Sequence, residues 1–114
     1  MPHCIIDYSR DIAGQIEIEA LLEAVYLGAM DSDLFPEYDI KTRAQGYEYH
    51  RTGQIRDSFV HVALHLLSGR SDEQKSMLSE CVLSRIEPLL PRVVSVSVEI
   101  YDIHRESYRK RVLV

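Results

Sequence analysis

Apolar and polar residues alternate most clearly in the second half of the chain. From Phe59 to Leu67, Val60, Val62, Leu64 and Leu66 fall on one side and Phe59, His61, Ala63 and His65 on the other. A period of two predicts a strand with one covered face. Val94, Val96, Val98 and Ile100 then alternate with Ser95, Ser97, Glu99 and Tyr101, predicting another strand. Between them, Ser68-Gly69-Arg70 reads as a turn, and Ser71 opens a capping box completed by Gln74. The helix that follows carries Met77, Leu78, Cys81, Val82, Ile86 and Leu89, with Pro88 near its end and Pro91 stopping it.

The first half has the same plan. Cys4–Tyr8 is short and β-prone. Between Asp11 and Met30, Ile12, Ile16, Ala20, Leu21, Ala24, Val25 and Leu27 recur at helical spacing. Ser9 or Asp11 could cap that helix, and Glu17, Glu19 and Glu23 put negative charge where its dipole favours it. A loop ending near Pro36 leads to a strand from Ile40 to Tyr47 or beyond, weakened by Gly46.

The order is β-α-β twice, in pseudo-repeats of about 1–55 and 56–114 within one domain of 114 residues. Crossovers of this length make each strand pair parallel. Two units side by side give an α/β (α+β) fold, a four-stranded mixed sheet with both helices on one face. The other sheet face is left uncovered, and self-association is an economical way to cover it.

Composition narrows the function. At 46% hydrophobic and 27% charged residues the chain is an ordinary globular one. No apolar run approaches the ~18 residues of a membrane span, and no signal peptide is visible. The two cysteines, Cys4 and Cys81, form no CxxC pair, which fits a reduced, cytoplasmic setting. The net charge of −5 argues against nucleic acid as the main partner. Between positions 11 and 50 there are nine acids and only two bases, Lys41 and Arg43. They stand two residues apart, on one face of a strand.

Metal chemistry finds no support. His61 and His65 share a strand face but are separated by ~13 Å, too far for one ion. Cys81, on the apolar side of a helix, reads as core, and Cys4 as core or interface. Pro2 is the unusual candidate. Proline after the initiator methionine is normally unmasked, giving a secondary amine at the chain start. An α-amino group titrates near ~7.7–8.0, and apolar surroundings or nearby cations lower that value. The neutral amine is then a general base at physiological pH. Lys41, Arg43 and Arg70, the last at a helix entrance, would lower that pKa further and bind carboxylates. If Met1 stays in place, Pro2 is an amide and cannot be a base. Each cation could equally be solvated or paired, with Asp39 available to Lys41 or Arg43, and Asp72 or Glu73 near Arg70.

The chain resembles the 5-carboxymethyl-2-hydroxymuconate isomerases of the tautomerase superfamily. The resemblance lies in Met1-Pro2-His3, Leu34-Phe35-Pro36, the basic pair around Thr42, Phe59-Val60-His61, Gly69-Arg70-Ser71, and Glu99 through His104 to Tyr108. It implies two β-α-β units assembled as a homotrimer, and a proline base that moves a proton between a dienol and a conjugated ketone without a cofactor. It implies an anionic small-molecule substrate held by Lys41 (usually arginine in the family), Arg43 and Arg70. His3, Tyr47 and His61 are lesser candidates for lining the pocket. Two alternatives stay open on the same fold: a non-catalytic trimeric binding protein, and a hydratase or dehalogenase using the same proline.

Overall fold

A computed structural model describes residues 1–113. Four strands, β1 (Pro2–Ser9), β2 (Lys41–Tyr47), β3 (Phe59–Leu67) and β4 (Ser95–Ile103), form one sheet in the order β2-β1-β3-β4. β1 runs parallel to β2, and β3 parallel to β4, while the central β1–β3 pair is antiparallel. Helix α1 (Ile18–Asp31) connects β1 to β2, and α2 (Asp72–Ile86) connects β3 to β4. This is the mixed sheet of two β-α-β units that the hydrophobic pattern predicts.

The period-two rows sort as expected. Val60, Val62, Leu64 and Leu66 are buried with Cys4 and Ile6 of β1, Leu21, Val25 and Ala29 of α1, and Leu78, Val82 and Ile86 of α2. Each buried Val, Leu or Ile among them contributes about 1.5–3 kcal/mol by leaving water. The opposite face carries His3, Ile5 and Asp7 of β1, His61, Ala63 and His65 of β3, and Glu99 of β4, all half-buried.

Several expected boundaries move. β1 starts at Pro2 rather than Cys4, because β3 pairs with it from the Pro2–Leu66 partnership onward. The Asp11–Met30 helix divides into a 3-10 turn at Arg10–Gly14 and α1 proper. Ile12 in that turn is fully buried, so its spacing served the core without continuing a helix. Neither Ser9 nor Asp11 caps α1. Ser9 is buried at the end of β1, where its Oγ accepts the Phe59 N–H at 3.0 Å, and Glu17 is the N-cap without a side-chain bond. Glu19 therefore lies in the first turn of α1 and Glu23 beyond it. The Ser71–Gln74 capping box forms as predicted, with reciprocal bonds of 3.1 and 2.9 Å. The second helix ends at Ile86, and a 3-10 turn continues it over Glu87–Leu89 around Pro88. Cys4 is core, whereas Cys81 is only half-buried and donates to Met77 Sδ at 3.7 Å.

Two glycines have steric roles. A Cβ on Gly46 would come within 2.9 Å of the Tyr8 ring and Arg10 Cγ, so these side chains occupy the space that a β-former would need. A Cβ on Gly28 would sit 2.6 Å from Val82 Cα and 3.0 Å from the Cys81 carbonyl oxygen, where α1 meets α2. Gly28→Ala gains about 1 kcal/mol of helix propensity. It must also push two backbones apart, and overpacking of this kind costs about 1–3 kcal/mol. Net destabilisation is expected, read as a lower midpoint in chemical denaturation. A midpoint at or above wild type would show that the helices separate without cost.

Candidate active site

The start of β1 is a crossing point of the fold. His3 is in register with Lys41 on one side and His65 on the other, and His65 with Tyr101. Lys41, His3, His65 and Tyr101 thus form one row across the open face, and the His65 and Tyr101 rings stack with centroids 4.7 Å apart. One step along, Arg43 is level with Ile5. Because β3 runs antiparallel to β1, its end lies at this same edge, and the chain leaves it through Ser68 and Gly69 to Arg70. Gly69 has a φ of +129°, a backbone conformation that suits glycine.

Register therefore puts Pro2, Lys41 and Arg43 toward one end of the strands, and the turn after β3 carries Arg70 to that end, against Leu34 and Phe35 before β2. Register takes Tyr47 and His61 elsewhere. Tyr47 closes β2 opposite Ser9, about 20 Å along the strand from Lys41. Its hydroxyl donates to Asp7 Oδ1 at 3.1 Å, and that contact raises its pKa. His61 lies opposite Asp7 and is held by Ser97 Oγ at 2.6 Å and Glu99 Oε2 at 2.5 Å. The Glu99 carboxyl is held below its usual range by the Tyr101 hydroxyl and then by His61. Strand register thus sets both residues apart from Lys41 and Pro2 within one chain.

The cations are differently engaged than their nearest acids suggest. Lys41 Nζ donates to the Asp39 backbone carbonyl at 3.4 Å and reaches Met1 Sδ at 4.0 Å. The Asp39 carboxylate instead takes the Met1 ammonium at 3.3 Å. Arg43 Nη1 lies 3.4 Å from His3 Nδ1. Arg70 turns away from Asp72 and Glu73, donating to the Leu34 carbonyl at 3.0 Å with its guanidinium 5.1 Å from the Phe35 ring centre. Among the described residues, no carboxylate pairs with Lys41, Arg43 or Arg70. Three cations toward one end of the strands thus keep capacity for an anion.

Met1 packs beside Lys41 and Asp39. It is 9% exposed, and its sulfur accepts from the Tyr108 hydroxyl at 3.0 Å. The Pro2 ring beneath it is less than 2% exposed, and its nitrogen is acylated by Met1. Burial lowers the pKa of the Met1 ammonium; Asp39 opposes the shift, and Lys110 and Lys41 add to it. Beside it, Tyr38, Asp39, Lys41, Lys110 and Val112 line a cleft of about 340 Å³. Burial also lowers the His3 pKa, with Arg43 and Lys41 next in effect. Asp39, expected as a partner of Lys41 or Arg43, pairs with the Met1 ammonium instead. Neither His65 nor Lys110 is marked by the sequence: the first follows from the β1–β3 register, and the second carries no local signal.

The family model described as 5-carboxymethyl-2-hydroxymuconate isomerase matches residues 2–112. A crystal structure of a 5-carboxymethyl-2-hydroxymuconate delta-isomerase is similar, with 18% identity, a TM-score of 0.85, and 98% of this chain and 88% of that one covered. A 5-carboxymethyl-2-hydroxymuconate isomerase from Deinococcus radiodurans R1 matches at 22% identity and a TM-score of 0.85, covering 96% and 88%. A fused 4-OT protein, solved as a symmetric trimer, matches at 20% identity and a TM-score of 0.71, covering 89% and 85%. No sequence among the curated proteins matches. Among the described residues, no helix is long and apolar enough to cross a membrane, and no cluster of three or more potential metal ligands occurs.

Proposed function

Because the chain belongs to the 5-carboxymethyl-2-hydroxymuconate isomerase family, we propose that it is a keto-enol tautomerase working through Pro2 after removal of Met1. The substrate is a 2-hydroxymuconate-like unsaturated dicarboxylate. The Pro2 nitrogen takes the proton from the 2-hydroxyl of the dienol. The electron pair of that O–H bond forms the C2 carbonyl, and the double bonds shift along the chain. The Pro2 ammonium then returns the proton to the distant carbon, giving a conjugated ketone. The substrate's own π system accepts the electrons, so the step needs no metal or organic cofactor. Lys41, Arg43 and Arg70 bind the carboxylates and stabilise charge on the enolate oxygen.

The observation that carries this reading is the set of three cations without carboxylate partners toward the end of the strands where Pro2 begins β1. A basic nitrogen must be neutral to accept a proton, and nearby cations disfavour its charged form. In the same proposal the chain assembles as a homotrimer through its open sheet face and acts in the cytoplasm on products of aromatic-compound breakdown.

Two measurements test the reading together. Mass spectrometry of the purified protein is expected to show loss of Met1. Ultraviolet absorption is expected to show faster ketonisation of 2-hydroxymuconate or phenylenolpyruvate than in buffer. Retained Met1, or a rate equal to buffer on both enols, would instead favour a non-catalytic binding protein.

A further inference from the structure

The chain's tail reaches the site that the cations outline. After a single 3-10 turn at Arg105–Ser107, the chain returns to the beginning of β1, where Tyr108 is half-buried. Its hydroxyl lies 3.0 Å from His3 Nε2 and 3.0 Å from Met1 Sδ. On the far side of the same imidazole, Arg43 Nη1 is 3.4 Å from Nδ1. These contacts fix the direction of every proton in the series. A guanidinium can only donate, so Nδ1 of His3 accepts. A neutral imidazole that accepts at Nδ1 carries its proton on Nε2. Burial and the charges of Arg43 and Lys41 favour that neutral ring. Nε2–H therefore donates to the Tyr108 oxygen. The Tyr108 hydrogen is left to point at the Met1 thioether, which can only accept.

Met1 Sδ thus marks a point where the Tyr108 hydroxyl and the Lys41 ammonium converge, on the residue whose removal bares the Pro2 nitrogen. We infer that Tyr108 is a further catalytic residue, whose hydroxyl donates to the C2 oxygen of an enol or enolate lying where the Met1 side chain lies before processing. This rests on the proposal that Met1 is removed and Pro2 reacts. His3 and Arg43 are positioning residues: they leave the Tyr108 hydroxyl no other direction in which to donate. Arg43 so has a second role, orienting the donor as well as supplying charge. A donor fixed before the reaction costs little reorganisation as negative charge grows on the oxygen.

The test is phenylenolpyruvate ketonisation by the processed wild type, Tyr108→Phe, His3→Ala and Pro2→Ala. Tyr108→Phe is expected to lower kcat by about 10²-fold, typical for loss of one such donor, with KM within about twofold. His3→Ala, which leaves the tail intact, is expected to lower kcat in the same way by about tenfold, because the hydroxyl becomes free to rotate. That variant also decides the matter if Tyr108→Phe fails to fold. An inactive Pro2→Ala beside normal kcat in both other variants overturns the role of Tyr108 and leaves the proline reading standing. A rise in KM alone does the same, since it would mean that the tail only shapes the pocket. A wild type no faster than buffer overturns both.

Discussion

Pro2→Ala is expected to lower kcat/KM for enol ketonisation by about 10²–10⁴-fold, the range that a positioned general base contributes. Alanine is no larger than proline, so removal of Met1 is expected in the variant as in the wild type, leaving a free amine. What changes is the nitrogen. A ring less than 2% exposed holds it at the start of β1, and the primary amine that replaces it has no such anchor. The fall should appear in kcat, with KM changed by less than about threefold, because Lys41, Arg43 and Arg70 are untouched. The pH profile gives an independent reading. A protonated amine cannot accept a proton, so activity is lost as pH falls through the pKa of that nitrogen. Burial lowers the pKa of the neighbouring Met1 ammonium even though Asp39 opposes the shift, and Lys110 and Lys41 add to it; a Pro2 amine exposed beside the same cations is disfavoured as an ammonium in the same way. The acid limb for Pro2 should therefore lie below the ~7.7–8.0 of an ordinary α-amine. Lys41→Ala should move it upward. An acid limb absent between pH 5 and 8, or Pro2→Ala at wild-type rate, would remove the proline from the chemistry.

Arg70→Ala is expected to lower kcat/KM by about 10–150-fold, the equivalent of one lost charge-assisted hydrogen bond of about 1.5–3 kcal/mol. The side chain also braces the loop before β2 through the Leu34 carbonyl and the Phe35 ring. Arg70→Lys separates these roles. Lysine keeps the charge and can still reach one acceptor, but it cannot make a forked contact with a carboxylate. If Arg70 binds substrate by its fork, Arg70→Lys stays at least about tenfold impaired while its denaturation midpoint matches wild type. Full activity in Arg70→Lys would mean that charge alone suffices, and full activity in Arg70→Ala would leave Arg70 a loop brace only.

Much of the fold was legible from local pattern because local chemistry decides it. The Phe59–Leu67 alternation gave both the limits of β3 and its buried row. The capping box at Ser71 gave the start of α2, since its two bonds close within three residues. The start of α1 is hidden in the sequence because Ile12, Ile16 and Ala20 keep helical spacing across a break. A periodic apolar residue can serve the core from a 3-10 turn, and Ile12 does. Gly46 looked like a weakness in β2, yet it makes room for Tyr8 and Arg10.

The residues of the candidate site divide along the same line. Pro2, Lys41, Arg43 and Arg70 could be picked out from residue type and position, because a base and free cations are chemical properties of single residues. Their placement toward one end of the strands depends on β1 being central, parallel to β2 and antiparallel to β3. Tyr47 and His61 have equally suitable side chains, but register carries them to the far part of the sheet. Only tertiary structure brought Tyr108 across more than a hundred residues to His3 and Met1. By itself the sequence determined the strands, the second helix, the body of the first and the candidate groups, because these follow from patterns within about a dozen residues. Which groups share a site was decided by strand order and by the path of the tail, since contacts between distant segments leave no periodic trace along the chain.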